Sequence, residues 1–109
     1  MAHDEQLASR IRSALKNVDG VTEKRMFGGV AFFVHGNMAA GVHKDCLIVR
    51  ISPEDGAAAL SEPGARPMDI TGKPMKGWLM IDPAAIVSAP ALKKWVLRGA
   101  RFAQTLPAK

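Results

Sequence analysis

A chain of 109 residues makes one ordinary domain, residues 1–109, and leaves no room for a cofactor cleft between two domains. Hydrophobic residues at 48%, charged residues at 23% and a mean hydropathy of +0.02 exclude a disordered or membrane chain. Cys46 is the single cysteine, so a disulfide scaffold is excluded, and a lone thiol suits a reducing cytosol.

Taken in chain order, Leu7, Ile11, Ala14, Leu15 and Val18 recur at helical spacing. They predict a helix from about Asp4 to Val18, with Asp4 as its N-cap and Gly20 just past its end. Met26 to Val34 then reads as a strand, His35-Gly36-Asn37 as a turn and Met38 to Val42 as the return strand. His43-Lys44-Asp45 makes a second tight connection into Cys46–Ile51, the strand richest in branched residues. Connections this short predict an antiparallel meander of three. Both alternation sets are apolar: Val30, Phe32 and Val34 point one way, Phe27, Ala31 and Phe33 the other. A sheet with one wet face alternates more cleanly, so something should cover part of the second face, and where the three helices leave it bare a second copy of the chain would.

Ser52-Pro53-Glu54-Asp55 carries a cap, a first-turn proline and two acids, and it opens a helix through Leu60. Three prolines and two glycines in residues 63–76 predict an irregular connection, with a short extended piece at Met68–Ile70. Gly77–Ile81 reads as a last strand, and Asp82-Pro83 caps a brief turn. The final helix spans about Ala89 to Gln104, opened by Ser88 and Pro90. Its apolar stripe of Leu92, Trp95, Val96, Gly99, Phe102 and Ala103 is regular, and Gly99 within it signals close approach to a neighbouring element. Trp95, mid-stripe, is expected to be buried. The order α-β-β-β-α-β-β-α is that of an α+β domain, with helices packed on a mainly antiparallel sheet.

Charge is concentrated at one end. Residues 83–109 carry Lys93, Lys94, Arg98, Arg101 and Lys109 and no acid, which accounts for the whole formal charge of +5. Lys94, Arg98 and Arg101 fall on one flank of the last helix, a surface able to meet an anionic partner. Phosphate contacts by three such residues would be weak, salt-sensitive and indifferent to sequence. The chain has no tyrosine for a stacking platform, and no helix-turn-helix, zinc-knuckle or GxxG pattern.

Catalytic chemistry finds no constellation. His43 and Cys46 form a lone His-x-x-Cys, short of the three or four ligands zinc needs, and nothing beside them signals a nucleophilic pair. Cys46 reads as a buried structural thiol. Gly28-Gly29 lies in strand-like sequence and lacks the lysine of a phosphate loop. Asp45, Asp55, Asp69 and Asp82 are scattered over turns and caps. The expectation is a non-enzymatic chain without metal or cofactor. The acidic start His3-Asp4-Glu5-Gln6 has no apolar signal region and no stretch is long enough to span a membrane, so the expected location is cytoplasmic.

Arg25-Met26-Phe27-Gly28-Gly29, the turn around Gly36, the Leu47–Arg50 strand, Pro74-Met75-Lys76-Gly77-Trp78 and Leu92-x-x-Trp95 together resemble the N-terminal domain of the TfoX/Sxy proteins. The resemblance runs in order along nearly the whole chain. It implies a fold like that of type III secretion chaperones, no catalytic residues, and a regulatory role in natural competence beside a cyclic-AMP-responsive transcription activator. Full competence regulators of this family carry a second, C-terminal helical domain, so the expectation is a stand-alone N-terminal domain. The motif residues Arg25, Met26, Phe27, Gly28, Gly29, Lys76, Gly77, Trp78 and Trp95 are expected to be structural. The partners expected are a second copy of the chain, making a homodimer, and an unidentified protein such as a transcription factor. Nucleic acid is expected to bind weakly at most.

Overall fold

A computed structural model of the chain describes residues 5–26, 29–67 and 77–107. Helix α1 (Glu5–Ala14) leads into strands β1 (Val21–Met26), β2 (Gly29–Val34), β3 (Asn37–His43) and β4 (Cys46–Arg50). Helix α2 (Pro53–Ala59), strands β5 (Ala65–Pro67) and β6 (Trp78–Ile81), a 3₁₀ turn (Pro83–Ile86) and helix α3 (Ala89–Gln104) follow. The six strands form one antiparallel sheet in the order β1-β2-β3-β4-β6-β5.

The α+β class and the order of elements agree with the sequence reading, with one strand added at the front. The expected meander of three strands is a meander of four. Val21–Met26 pairs with Gly29–Val34, so Met26 and Val34 belong to different strands of a hairpin rather than to one long strand. Residues 22–25 are exposed and polar, which removes any apolar signal; backbone pairing to β2 defines the strand. Charged side chains on such an edge also discourage pairing with another chain. Strand β5 falls at Ala65–Pro67, and the expected extended piece at Met68–Ile70 lies outside the described residues, as do Asp4, Phe27, Gly28 and Lys76.

Local chemistry explains the boundaries. His35 and Gly36, at φ 51° and 85°, make the two-residue turn between Val34 and Asn37; such turns require left-handed backbone and match the strand twist. The Ser52 hydroxyl accepts from Asp55 N–H and the Ser88 hydroxyl from Ala91 N–H, satisfying first-turn amides of α2 and α3. Arg10 donates to the carbonyls of Ile86 (2.6 Å) and Val87 (3.2 Å), tying the 3₁₀ turn to α1.

One face of the sheet carries the main core. Val30, Phe32, Val34, Val42, Leu47, Val49, Leu79 and Ile81 meet Leu7, Ile11 and Leu15 of the first helical segment. Leu92, Trp95, Val96, Ala100 and Ala103 of α3 close that core, and Trp95 is 2% exposed. Burying each large side chain contributes about 1.5–3 kcal/mol, which holds the helices to the sheet. The approach of α3 is closest at Gly99, where a Cβ would stand 2.1 Å from the Ala39 carbonyl oxygen. Ala39 is the extra residue of a bulge: Phe32 pairs with Ala40 and Phe33 with Met38.

The second face is apolar as expected and also buried. Ala31, Met38, Cys46, Ile48 and Met80 are between 1% and 7% exposed within a single chain, with Phe33 and Trp78 packed against them. No residue of a described helix belongs to this second cluster.

Candidate functional site

The sheet places the two family-like motifs at opposite ends. Met26 pairs with Gly29 at the end that also holds His43 and Cys46. Trp78 pairs with Arg50 at the other end, where Gly77 adopts φ +82° and its carbonyl accepts from Ile51 N–H at 2.8 Å. A Cβ on Gly77 would fall 2.4 Å from the Ile51 carbonyl oxygen, so Gly77 is there for close backbone contact. Arg25 is exposed at the end of β1, Trp78 is half-buried, and Trp95 lies in the core. These residues do not converge on one point.

His43 and Cys46 face each other across the β3–β4 hairpin. Cys46 donates weakly to Asp45 Oδ1 (3.7 Å) and its sulfur accepts from Arg66 Nη2 (3.3 Å). Burial pushes the thiol above its ordinary value, with nearby Arg66 only partly opposing. A raised thiol carries little thiolate, which is unsuited to nucleophilic chemistry. Arg66 is itself ion-paired to Asp82 at 2.8 Å. Among the described residues no three His, Cys, Asp or Glu side chains converge on a metal position.

The basic flank of α3 is present, but it is not an open row of cations. Glu62, in the connection after α2, accepts from Lys94 Nζ (3.3 Å) and Arg98 Nη1 (2.9 Å). Burial alone would raise the Glu62 carboxyl; hydrogen bonds from Arg98 and Lys94 outweigh it and hold the group below its ordinary value. Arg98 also lies 4.5 Å over the Trp95 ring, so one guanidinium covers the buried indole and neutralises the acid. Arg101 is exposed farther along the helix. At the same end of the domain, Arg50 stacks between Trp78 (5.2 Å) and Phe102 (5.4 Å).

Three surface grooves accompany these features. One of about 200 Å³ between α1 and β1 is crossed by a bidentate pair, Arg12 to Glu23 at 2.8 and 2.9 Å. A second, of about 440 Å³, lies between Ser52 and Phe102; it sets Asp55 against Arg101 and the already paired Arg98. The third, of about 340 Å³, lies between α1 and the start of α3 and holds no carboxylate among its lining. Sequence reading missed Glu62, Arg50, and the placing of Lys16 and Lys93 along one groove. Only the folded helices bring them to their partners.

No described helix is long and apolar enough to cross a membrane. Neither the curated proteins nor the solved structures hold a match to the chain. The family model of the TfoX N-terminal domain matches residues 4–103, nearly the whole length, and the chain belongs to that family.

Proposed function

We propose that this chain is a small non-enzymatic regulatory or adaptor domain that acts through protein–protein contacts in the cytoplasm, within the transcriptional regulation of competence to which its family is linked. The observation that supports protein contacts over nucleic acid is Glu62: it engages two of the three cations on this flank of α3. One carboxylate cancels one charge, so three cations less Glu62 leave two, and a salt slope of about −2.7 for three phosphate contacts on B-DNA becomes about −1.8. No base-reading element accompanies them. The second reading, weak and sequence-insensitive nucleic-acid binding through Lys94, Arg98 and Arg101, therefore needs Glu62 displaced first.

Self-association was expected from an uncovered apolar sheet face. That face is buried in one chain, and the large hydrophobics exposed among the described residues are Leu60 and Val87. A homodimer would have to use another surface, and light scattering at micromolar concentration decides it.

The test of function is affinity purification from the native host, followed by calorimetry with the purified partner at physiological salt. A protein partner that binds while duplexes and single strands do not is the expected result. Nanomolar binding of one DNA sequence, lost when Lys94, Arg98 and Arg101 are neutralised, would overturn the proposal in favour of the second reading.

A further inference from the structure

We infer that Arg50, held over the rings of Trp78 and Phe102, is the contact point for a carboxylate on a protein partner, an inference that rests on the adaptor reading above. The other arginines are accounted for. Arg10 donates to the carbonyls of Ile86 and Val87, and Arg12, Arg66 and Arg98 are paired with Glu23, Asp82 and Glu62. Arg25 and Arg101 are exposed, where water serves their donors. Arg50 is half-buried at the end of β4, and among the described residues no oxygen accepts from it. Its guanidinium carbon instead lies 5.2 Å from the centre of the Trp78 ring and 5.4 Å from that of Phe102.

Aromatic faces attract the charge but give no oxygen to its five N–H donors. A donor group taken partly out of water and left without an acceptor is costly, and an incoming anion removes that cost. The rings, one from β6 and one from α3, also restrict the side chain before anything binds, so little rotamer freedom is lost on contact. A half-buried cluster of Arg, Trp and Phe has the composition that dominates binding at protein interfaces. Two neighbours select the anion. The groove of about 440 Å³ beside Phe102 adds Arg101 as a second cation without an ion partner among the described residues. The same groove holds Asp55, whose charge opposes a doubly charged phosphate or a nucleic-acid strand more than a single carboxylate. A planar carboxylate also matches the guanidinium fork with two oxygens. The group that fits is an Asp or Glu of the partner with apolar neighbours, which come to lie on the part of each ring still open to solvent.

The experiment uses the whole chain and three probes: a capped peptide with one glutamate between apolar residues, its glutamine twin, and inorganic phosphate. NMR titration follows the Arg50 Nε–H and the Trp78 indole N–H. The glutamate peptide should shift both and bind about fivefold more tightly than the glutamine peptide, as one partly solvated charge contact allows. Arg50→Lys keeps the charge without the planar fork, and the folded variant should lose that preference. If the variant does not fold, the wild-type shifts decide without it. Equal binding of the two peptides, phosphate binding more tightly than the glutamate peptide, or no shift at Arg50 in the millimolar range would each overturn the inference. So would an Arg50→Lys protein that keeps the full preference, since charge alone would then explain it. If the native partner binds Arg50→Lys as tightly as the wild type, this site fails while the adaptor reading stands. If the glutamate peptide binds at Arg50 and no protein partner exists, the adaptor reading fails and the site stands as a carboxylate receptor.

Discussion

Replacing Gly99 by alanine sets two physical effects of opposite sign against each other. In a solvent-exposed helix the change is favourable by about 1 kcal/mol, because alanine restricts the unfolded backbone and suits the helix better. Here the added methyl would stand 2.1 Å from the Ala39 carbonyl oxygen, 3.0 Å from its carbon and 3.2 Å from Val49 Cγ1. The obstacle is backbone, in a bulge between the paired residues Met38 and Ala40, so no rotamer change relieves it. Relief requires lifting α3 off the sheet, which opens the core around Trp95, Val96 and Ala100. Overpacking of a tight core costs about 1–3 kcal/mol, and a fixed obstacle places this site at the upper end.

The net effect of Gly99→Ala is a loss of about 2 kcal/mol, which in a domain of this size lowers Tm by roughly 10 °C. Thermal and urea denaturation of Gly99→Ala are measured beside Arg101→Ala, an exposed change on the same helix that should stay within about 0.5 kcal/mol. A Gly99→Ala protein that melts at the same temperature or higher would show that helix propensity alone governs the site. The close seating of α3 on the bulge would then be wrong.

Trp95→Ala removes a side chain that is 2% exposed and capped by Arg98, and urea denaturation should show a loss of about 3–5 kcal/mol; unchanged melting would refute its place in the core. Glu62→Gln should cost about 1 kcal/mol or less at pH 7, because the carboxylate and its partners are partly solvated. Since folding lowers the Glu62 carboxyl, its stabilisation is complete above the ordinary value of about 4.3 and fades as pH falls through the lower native one. Wild-type and variant Tm curves should therefore converge toward acid, and parallel curves would count against the pairing. Cys46 should react slowly with a disulfide reagent at pH 8 in the folded protein and quickly in urea, while fast reaction without denaturant would show an accessible thiolate.

Where side-chain chemistry announces itself locally, the sequence was readable. Ser52 and Ser88 cap the helices they were expected to open, α3 keeps its expected ends, and Gly99 and Trp95 sit where their stripe put them. The first strand was not readable, because an edge strand whose residues 22–25 all face water has no periodic apolar set to display. The Ala39 bulge left no trace either, since alanine serves equally in regular strand. Both groove and ion-pair features depend on distant residues. Glu62 stands in a loop and meets cations 32 and 36 positions away, a relation that no window of sequence can contain.

The same geometry changes how the concentrated charge of the C-terminal segment should be weighed. Lys93 and Lys94 are neighbours in sequence, but at about 100° per residue they leave α3 in different directions. Lys93 joins Lys16 at the groove beside α1, whereas Lys94 turns to Glu62 together with Arg98. Counted round the helix, Lys93, Arg101, Lys94 and Arg98 fall within an arc of roughly 140° on the side opposite the stripe that packs on the sheet. The run is thus one outward face, divided only by which of its cations Glu62 engages. Glu62 cancels one of the three charges of Lys94, Arg98 and Arg101, which leaves that flank a net +2. Lys93, at the edge nearest α1, lines a groove together with Lys16 and no carboxylate, so its charge is left uncancelled there.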